Sequence, residues 1–87
     1  MAISIEPKNA ALYLNRGIAK ANLHDYQGAI QDFTIVTELD PNNGEVYYNM
    51  GIFKYNLNNK KDACLDWQKA SAMGFAGVHK VLQKYCR

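Results

Sequence analysis

The chain contains an internal repeat, because residues 10–43 return in similar form as residues 44–77. The clearest similarity is the stretch NRGIAKANL, which begins at Asn15 and returns as NMGIFKYNL at Asn49. Placing one copy over the other brings nine identical pairs into register: Tyr13/Tyr47, Asn15/Asn49, Gly17/Gly51, Ile18/Ile52, Lys20/Lys54, Asn22/Asn56, Leu23/Leu57, Ala29/Ala63 and Asp32/Asp66. A repeat of this length predicts similar supersecondary units that stack, each burying its apolar face against the next.

Each copy of the repeat predicts two helices. The predicted ranges are 10–23 and 26–39 in the first copy and 44–57 and 60–73 in the second. Each predicted helix is preceded by a short polar residue: Asn9, Asp25, Asn43 and Asn59. The side chain of such a residue can accept a hydrogen bond from the free N–H groups in the first turn of a helix. Pro41 cannot continue a helix, and Gly74 can adopt the left-handed conformation that ends one.

Small residues occupy the positions where the two helices of each copy are expected to cross. Gly17 and Ala29 hold these positions in the first copy, and Gly51 and Ala63 hold them in the second. A glycine inside a helix costs about 1 kcal/mol relative to alanine, so it needs a structural reason. Close approach of the two helices is that reason, and a Gly17→Leu change should overpack the crossing.

The two ends of the chain depart from the full repeat. Residues 77–86 predict one more amphipathic helix, with Val78, Val81, Leu82 and Tyr85 on one face, which would cap the last apolar surface. At the N-terminal end, residues 1–9 align with the end of the first copy when the chain is shifted by the distance that separates Asn15 from Asn49. Ala2 then corresponds to Val36, Ile5 to Leu39 and Pro7 to Pro41. We therefore expect residues 1–9 to be the remnant of a preceding repeat in a longer array; a natural protein with a short N-terminal stub is the alternative.

The spacing of the aromatic, small and proline residues resembles the tetratricopeptide repeat (TPR). The residues that carry the resemblance are Tyr13, Gly17, Ala29, Phe33, Val36 and Pro41 in the first copy and Tyr47, Gly51, Ala63, Trp67 and Ala70 in the second. The resemblance implies an all-α fold, a right-handed superhelix (α-solenoid) of antiparallel helix pairs. It divides one domain into the remnant 1–9, repeats 10–43 and 44–77, and a capping helix at 77–87, and Phe75 in place of the proline suggests that the array ends there.

The resemblance also implies a binding groove lined by the first helix of each repeat. The positions carried over to this sequence are Leu14, Asn15, Ile18 and Asn22 in the first copy and Tyr48, Asn49, Ile52, Tyr55 and Asn56 in the second, with Ala11, Ala21, Glu45, His79, Leu82 and Gln83 as further candidates. The amides of Asn15 and Asn49 can both donate to and accept from a peptide backbone. The alternatives are that these amides orient helices within a repeat and that the apolar groove residues pack between repeats.

The predicted groove departs from the charged clamp that some TPR proteins use for a C-terminal carboxylate. Leu14 and Tyr48 stand where a lysine would help, and Ile18 and Ile52 hold neighbouring positions. This combination indicates an apolar and aromatic groove, suited to an amphipathic helix or an apolar peptide.

Other classes of function have little support in the sequence. The net charge of +2 is spread along the chain, which argues against nucleic acid, and no apolar run approaches a membrane span. His24 and His79 have no metal-ligand spacing with Cys64 or Cys86, and we expect no metal, no cofactor and no enzymatic activity. Trp67 is expected in the core.

The two cysteines, Cys64 and Cys86, are expected to be free thiols in a reducing compartment, which favours the cytoplasm, with Cys64 acting as a small buried hydrophobe. A disulfide or a thiol-based activity is the alternative.

Three hypotheses for function follow from these observations. The first is a protein-interaction module that binds a peptide or partner helix in the groove. The second is a structural repeat whose open N-terminal end drives oligomerisation or helix exchange. The third is a scaffold within a larger enzyme or sensor.

Overall fold

The structure is a computed structural model, and it describes residues 9–86. Over this range the chain forms α1 (Ala10–Asn22), α2 (Tyr26–Leu39), α3 (Gly44–Asn56), α4 (Lys60–Ala72), a short 3-10 helix (Ala76–Val78) and α5 (His79–Tyr85). Residues 9–86 contain no strand, which confirms the all-α prediction. The remnant predicted for the first residues falls almost wholly on 1–8, outside the described residues.

Side-chain caps begin most of the predicted helices. Asn9 Oδ1 accepts from the Leu12 N–H at 3.2 Å, Asp25 Oδ1 from that of Gly28 at 3.0 Å, and Asn59 Oδ1 from that of Asp62 at 3.4 Å. Asn43 stands at the start of α3 as predicted, but its side chain makes no capping hydrogen bond. The four predicted helix starts are therefore confirmed, and the predicted capping hydrogen bond is wrong only at Asn43.

Three helices end in the same backbone motif. At the end of α1 the Asp25 N–H donates to Lys20 O at 2.8 Å and the His24 N–H donates to Ala21 O at 2.9 Å. This is the Schellman arrangement, which requires a left-handed residue just after the helix. The left-handed residues are His24 (φ 65°), Asn58 (φ 66°) and Gly74 (φ 87°). Only Gly74 was predicted, although asparagine and histidine also adopt this conformation more often than most residues do, so Asn58 and His24 carried a weaker signal of the same kind.

The helices stack in chain order around two core clusters. The first core cluster lies between α2 and α3 and consists of Ala29, Phe33, Val36, Val46, Met50 and Phe53, all at most 8 % exposed. The second core cluster consists of Ala63, Trp67, Ala70 and Val78 and joins α4 to the C-terminal segment. α1 packs on α2, α3 packs on both α2 and α4, and α5 packs on α4, so each helix contacts its neighbours in the sequence.

Gly17 in α1 and Gly51 in α3 lie directly against aromatic side chains of the helix that follows each of them. A Cβ atom on Gly17 would lie 2.5 Å from Phe33 Cδ1, and one on Gly51 would lie 2.6 Å from Trp67 Cδ1. A side chain at either position would meet such a ring, so the prediction that these sites require a very small residue is confirmed. The contact is made by the aromatic side chain of the second helix rather than at Ala29 or Ala63, one helical turn from the predicted position.

The predicted capping helix is present, and its apolar face is the predicted one. It begins as a 3-10 turn at Ala76 and continues as α5 from His79. Val78 is fully buried, and the half-buried Val81, Leu82 and Tyr85 pack against the second core cluster.

The expectation of free cysteines is wrong, because Cys64 and Cys86 form a disulfide with their Cα atoms 5.8 Å apart. α5 packs back along α4 and brings Cys86, the residue after the helix, to Cys64 on α4. Cys64 is consequently not an inert apolar side chain. The preference for a reducing, cytoplasmic compartment depended on free thiols and loses its basis.

Candidate partner-binding face

Three of the predicted groove residues of α1, Asn15, Ile18 and Asn22, lie on its solvent-exposed side. Asn15 and Asn22 are exposed, and Ile18 between them is 42 % exposed. Within residues 9–86 the Asn15 side chain has no hydrogen-bond partner. These three residues are spaced by about one turn of helix, so they form a continuous face with a free amide beside an exposed apolar side chain.

On α3 the corresponding residues are less open. Asn49 is half-buried, and its amide also has no hydrogen-bond partner in the described part of the chain. Asn56 is exposed, but its Nδ2 donates to Ile52 O one turn earlier at 2.8 Å. The amide of Asn56 is therefore partly used within its own helix, whereas no other described residue engages the amides of Asn15 and Asn49.

The predicted aromatic residues of the groove pack against the C-terminal segment. The Tyr48 ring lies 5.2 Å from that of Phe75, measured between centroids. The Tyr55 ring lies 6.0 Å from Trp67 and 4.9 Å from Tyr85. Both tyrosines are half-buried and pack against the second core cluster. Much of their surface is therefore used in packing within the chain, which was the alternative to a role in the groove.

The remaining candidates divide into packed and exposed residues. Leu14 and Ala21 pack against the first core cluster, Leu82 against the second, and Ile52 against both. Ala11, Glu45, His79 and Gln83 are exposed. The most open of the predicted groove residues are thus those of α1, whereas those of α3 are mostly half-buried.

An ion pair between a buried carboxylate and a partly exposed basic side chain links the two helices of each repeat, and the sequence analysis did not identify it. Asp32 is buried in α2 and accepts from Arg16 Nη2 at 2.7 Å and Nε at 3.0 Å, with Lys20 Nζ at 3.2 Å. In the second copy Lys54 Nζ lies 2.8 Å from Asp66 Oδ2, as an ion pair without hydrogen-bond alignment. The identical pairs Lys20/Lys54 and Asp32/Asp66 were the signal that could have revealed it.

The first of these pairs changes the acid–base behaviour of its members. The hydrogen bond from the Arg16 guanidinium holds the pKa of the Asp32 carboxyl below its usual range, although burial acts in the opposite direction and Lys20 adds to the lowering. The same hydrogen bond raises the pKa of Arg16. Asp32 is therefore a charged structural residue that ties α2 to α1.

None of the helices in residues 9–86 has the length and hydropathy to cross a membrane. Within the same range no three or more histidine, cysteine or acidic side chains come close enough together to hold a metal ion. The chain matches no known protein-family model, and no curated protein is similar enough to count as a relative.

Proposed function

We propose that this chain is a TPR-like interaction module that binds an extended peptide or a partner helix across the exposed face of α1 and the predicted groove residues of α3. The observation that carries the proposal is the Asn15 amide, which is exposed, lacks a hydrogen-bond partner in residues 9–86 and lies one turn from the exposed Ile18. No packing role among the described residues accounts for this polar and apolar combination.

The chemistry of this face suits recognition of a backbone. An asparagine amide offers donors and acceptors together, so it can pair with a peptide group whatever the peptide sequence is. Ile18 and the accessible part of Ile52 supply apolar contacts that would favour an apolar ligand side chain. The predicted positions include no lysine or arginine, which argues against a ligand selected for its terminal carboxylate.

The proposal is tested by selecting ligands from a displayed random-peptide library and measuring their affinity for variants. The double change Asn15→Ala and Asn49→Ala should reduce binding of the selected peptides while leaving the unfolding temperature almost unchanged, because neither amide has a hydrogen-bond partner in residues 9–86. Gln68→Ala, at an exposed site on α4, is the matched control and should bind as the original chain does. Equal affinity of the double variant would refute the asparagine mechanism.

A second candidate function is self-association, which is favoured by two exposed leucines on and just after α1, Leu12 at 50 % and Leu23 at 81 %. Size-exclusion chromatography with light scattering distinguishes it, because a mass that stays monomeric over a wide concentration range excludes self-assembly as the main role.

A further inference from the structure

The terminal helix α5 covers one of the residues predicted for the groove. The Tyr85 ring of α5 lies 4.9 Å from the Tyr55 ring of α3 and 5.9 Å from the Trp67 ring of α4, measured between ring centroids. Tyr55 belongs to the proposed peptide face, by which we mean the exposed side of α1 together with the predicted groove residues of α3. The chain's own Tyr85 therefore occupies the place in which a ligand side chain would meet Tyr55.

Packing alone holds α5 only weakly. None of its seven side chains is fully buried, and Val81, Leu82 and Tyr85 are half-buried where they pack against the second core cluster. An isolated helix of this length is unstable in water. The disulfide joins Cys86, the residue directly after α5, to Cys64 of α4 and so fixes the end of the helix that carries Tyr85. The position of the Tyr85 ring consequently depends on a covalent bond that a reductant can break.

The start of the C-terminal segment is held independently of the disulfide. The Phe75 N–H donates to Ala70 O at 3.1 Å, and the Phe75 ring packs on Tyr48. Val78 is fully buried, and directly after it the 3-10 turn passes into α5. A stretch of 3-10 helix within a helical segment often marks a hinge. Breaking the bond at Cys86 therefore frees α5 to move about Val78 and leaves Phe75 in place.

We propose that the disulfide between Cys64 and Cys86 is a redox switch for the peptide face. In the oxidised chain α5 is fixed over Tyr55. In the reduced chain α5 can leave, and an aromatic side chain of the ligand takes the place of Tyr85. This inference rests on the proposed function, because uncovering Tyr55 has an effect only if the peptide face binds a ligand.

The surface beneath Tyr85 suits an aromatic side chain. The rings of Tyr55 and Trp67 are tilted by 57° and 38° against that of Tyr85. Aromatic pairs at such separations and tilts are favourable beyond the area that they bury. A ligand ring in the same place makes the same contacts, so it competes with Tyr85, whose attachment to the chain gives it a high local concentration. The disulfide excludes this exchange, and its reduction permits it.

Reduction of the bond requires a dithiol, either a small molecule or a protein with two neighbouring thiols, and neither cysteine is fully buried. One thiolate of the dithiol bonds to the Cys86 sulfur, the bond between the two cysteine sulfurs breaks, and Cys64 leaves as a thiolate that takes up a proton. The second thiolate of the dithiol then bonds to the sulfur of the first, which releases Cys86 in the same way. The dithiol ends as a disulfide and has given two electrons and two protons to the chain.

The test uses the chain with Tyr85→Ala, in which α5 competes less well for its own site. The probe is a fluorescently labelled peptide of residues 76–85, which keeps Tyr85 and is held helical by a side-chain lactam between Lys80 and Lys84→Glu at exposed positions. In an anisotropy titration the probe should bind the reduced Tyr85→Ala chain at least about tenfold more tightly than the oxidised one, because only the bond distinguishes the two samples. A probe with Tyr85→Ala should lose this difference.

Two further variants of the Tyr85→Ala chain locate the bound probe. Tyr55→Ala should abolish the advantage of the reduced chain. Tyr26→Ala is the matched control, because it removes a half-buried tyrosine that stacks on Phe53 and should leave the advantage intact. Peptides selected from a displayed random library on the reduced original chain, with the oxidised chain in excess as competitor, should contain an aromatic residue and show the same preference.

The inference is overturned by equal affinity of the probe for both redox states, by no binding to the reduced chain at about 1 mM probe, or by the absence of any library peptide that prefers the reduced chain. Loss of the helical circular dichroism of α1 to α4 on reduction also overturns it, because the bridge would then support the whole fold. Failure of the proposed function is distinct: the Asn15→Ala and Asn49→Ala variant would bind peptides selected on the oxidised chain with unchanged affinity.

Discussion

The disulfide between Cys64 and Cys86 closes a loop with a sequence separation of 22 residues. Such a bridge restricts the unfolded chain and lowers its entropy, which stabilises the folded state by about 3 kcal/mol. α5 has only seven residues, and an isolated helix of that length is unstable in water. Without the bridge its position depends on the packing of Val78, Val81, Leu82 and Tyr85 against the second core cluster. For a domain of this size, about 3 kcal/mol lowers the melting temperature by roughly 12–24 °C.

The assay is thermal unfolding of the oxidised chain followed by circular dichroism, with and without a phosphine reductant. Reduction should lower the melting temperature by that amount. The double change Cys64→Ser and Cys86→Ser should melt near the reduced chain and respond no further to reductant. Trp67 fluorescence gives a local readout, because loosening of α5 admits water beside a ring that is now 2 % exposed. A shift below about 3 °C would refute the reasoning, since it is far under the shift expected for a constraining bridge.

Three further changes test other parts of the fold. Gly51→Ala places a Cβ against the Trp67 ring and should destabilise the chain by about 1–3 kcal/mol in urea unfolding; an unaltered midpoint would contradict the close approach. The pKa of Asp32 is lower in the folded chain than its ordinary value of 3.8, so its ion pair with Arg16 stabilises the fold above that pH and is lost as pH falls through the lowered value. Asp32→Asn should therefore be less stable at pH 7, and the difference from the original chain should narrow in unfolding curves recorded towards pH 2. Gly74→Ala, at φ 87°, should cost about 1 kcal/mol through backbone strain, whereas Gly74→Asn should cost less.

The helix pattern was predictable because its signals are local. Caps at Asn9, Asp25 and Asn59 and the apolar spacing of the second helices act over one or two turns, so the sequence alone places the helix boundaries to within a residue. Trp67 was likewise predictable as a core residue, since it replaces Phe33 at an equivalent position. Its Nε1–H also donates to Tyr48 O at 3.0 Å, which satisfies the indole inside the core.

The contacts that the sequence did not reveal are those made between elements. The bridge from Cys64 depends on how α5 lies along α4, and the spacing of the two cysteines contains no information about that angle. Tyr48 and Tyr55 were assigned to the groove by their register in the first helix, yet Phe75 and Tyr85 come from the C-terminal segment and pack on them. The connection before that segment is shorter than the one before α3, so its contacts do not follow from the register of the repeat.

Comparison of the two copies separates packing within a repeat from packing between repeats. Positions that are identical include Gly17/Gly51, Lys20/Lys54 and Asp32/Asp66, and all of these act between the two helices of one copy. Positions 12/46, 16/50 and 19/53 all differ, and these are the positions that contact the preceding helix pair on α3 and are exposed on α1.

The pair Asn15/Asn49 belongs to neither group. It is identical in both copies, yet neither amide has a hydrogen-bond partner within residues 9–86. An identity that hydrogen bonding within the repeat does not require is best explained by a requirement from outside it, which is the reasoning on which the proposed peptide face depends. The Asn15→Ala and Asn49→Ala variant tests that reasoning directly, because it removes the amides and leaves every hydrogen bond among the described side chains in place.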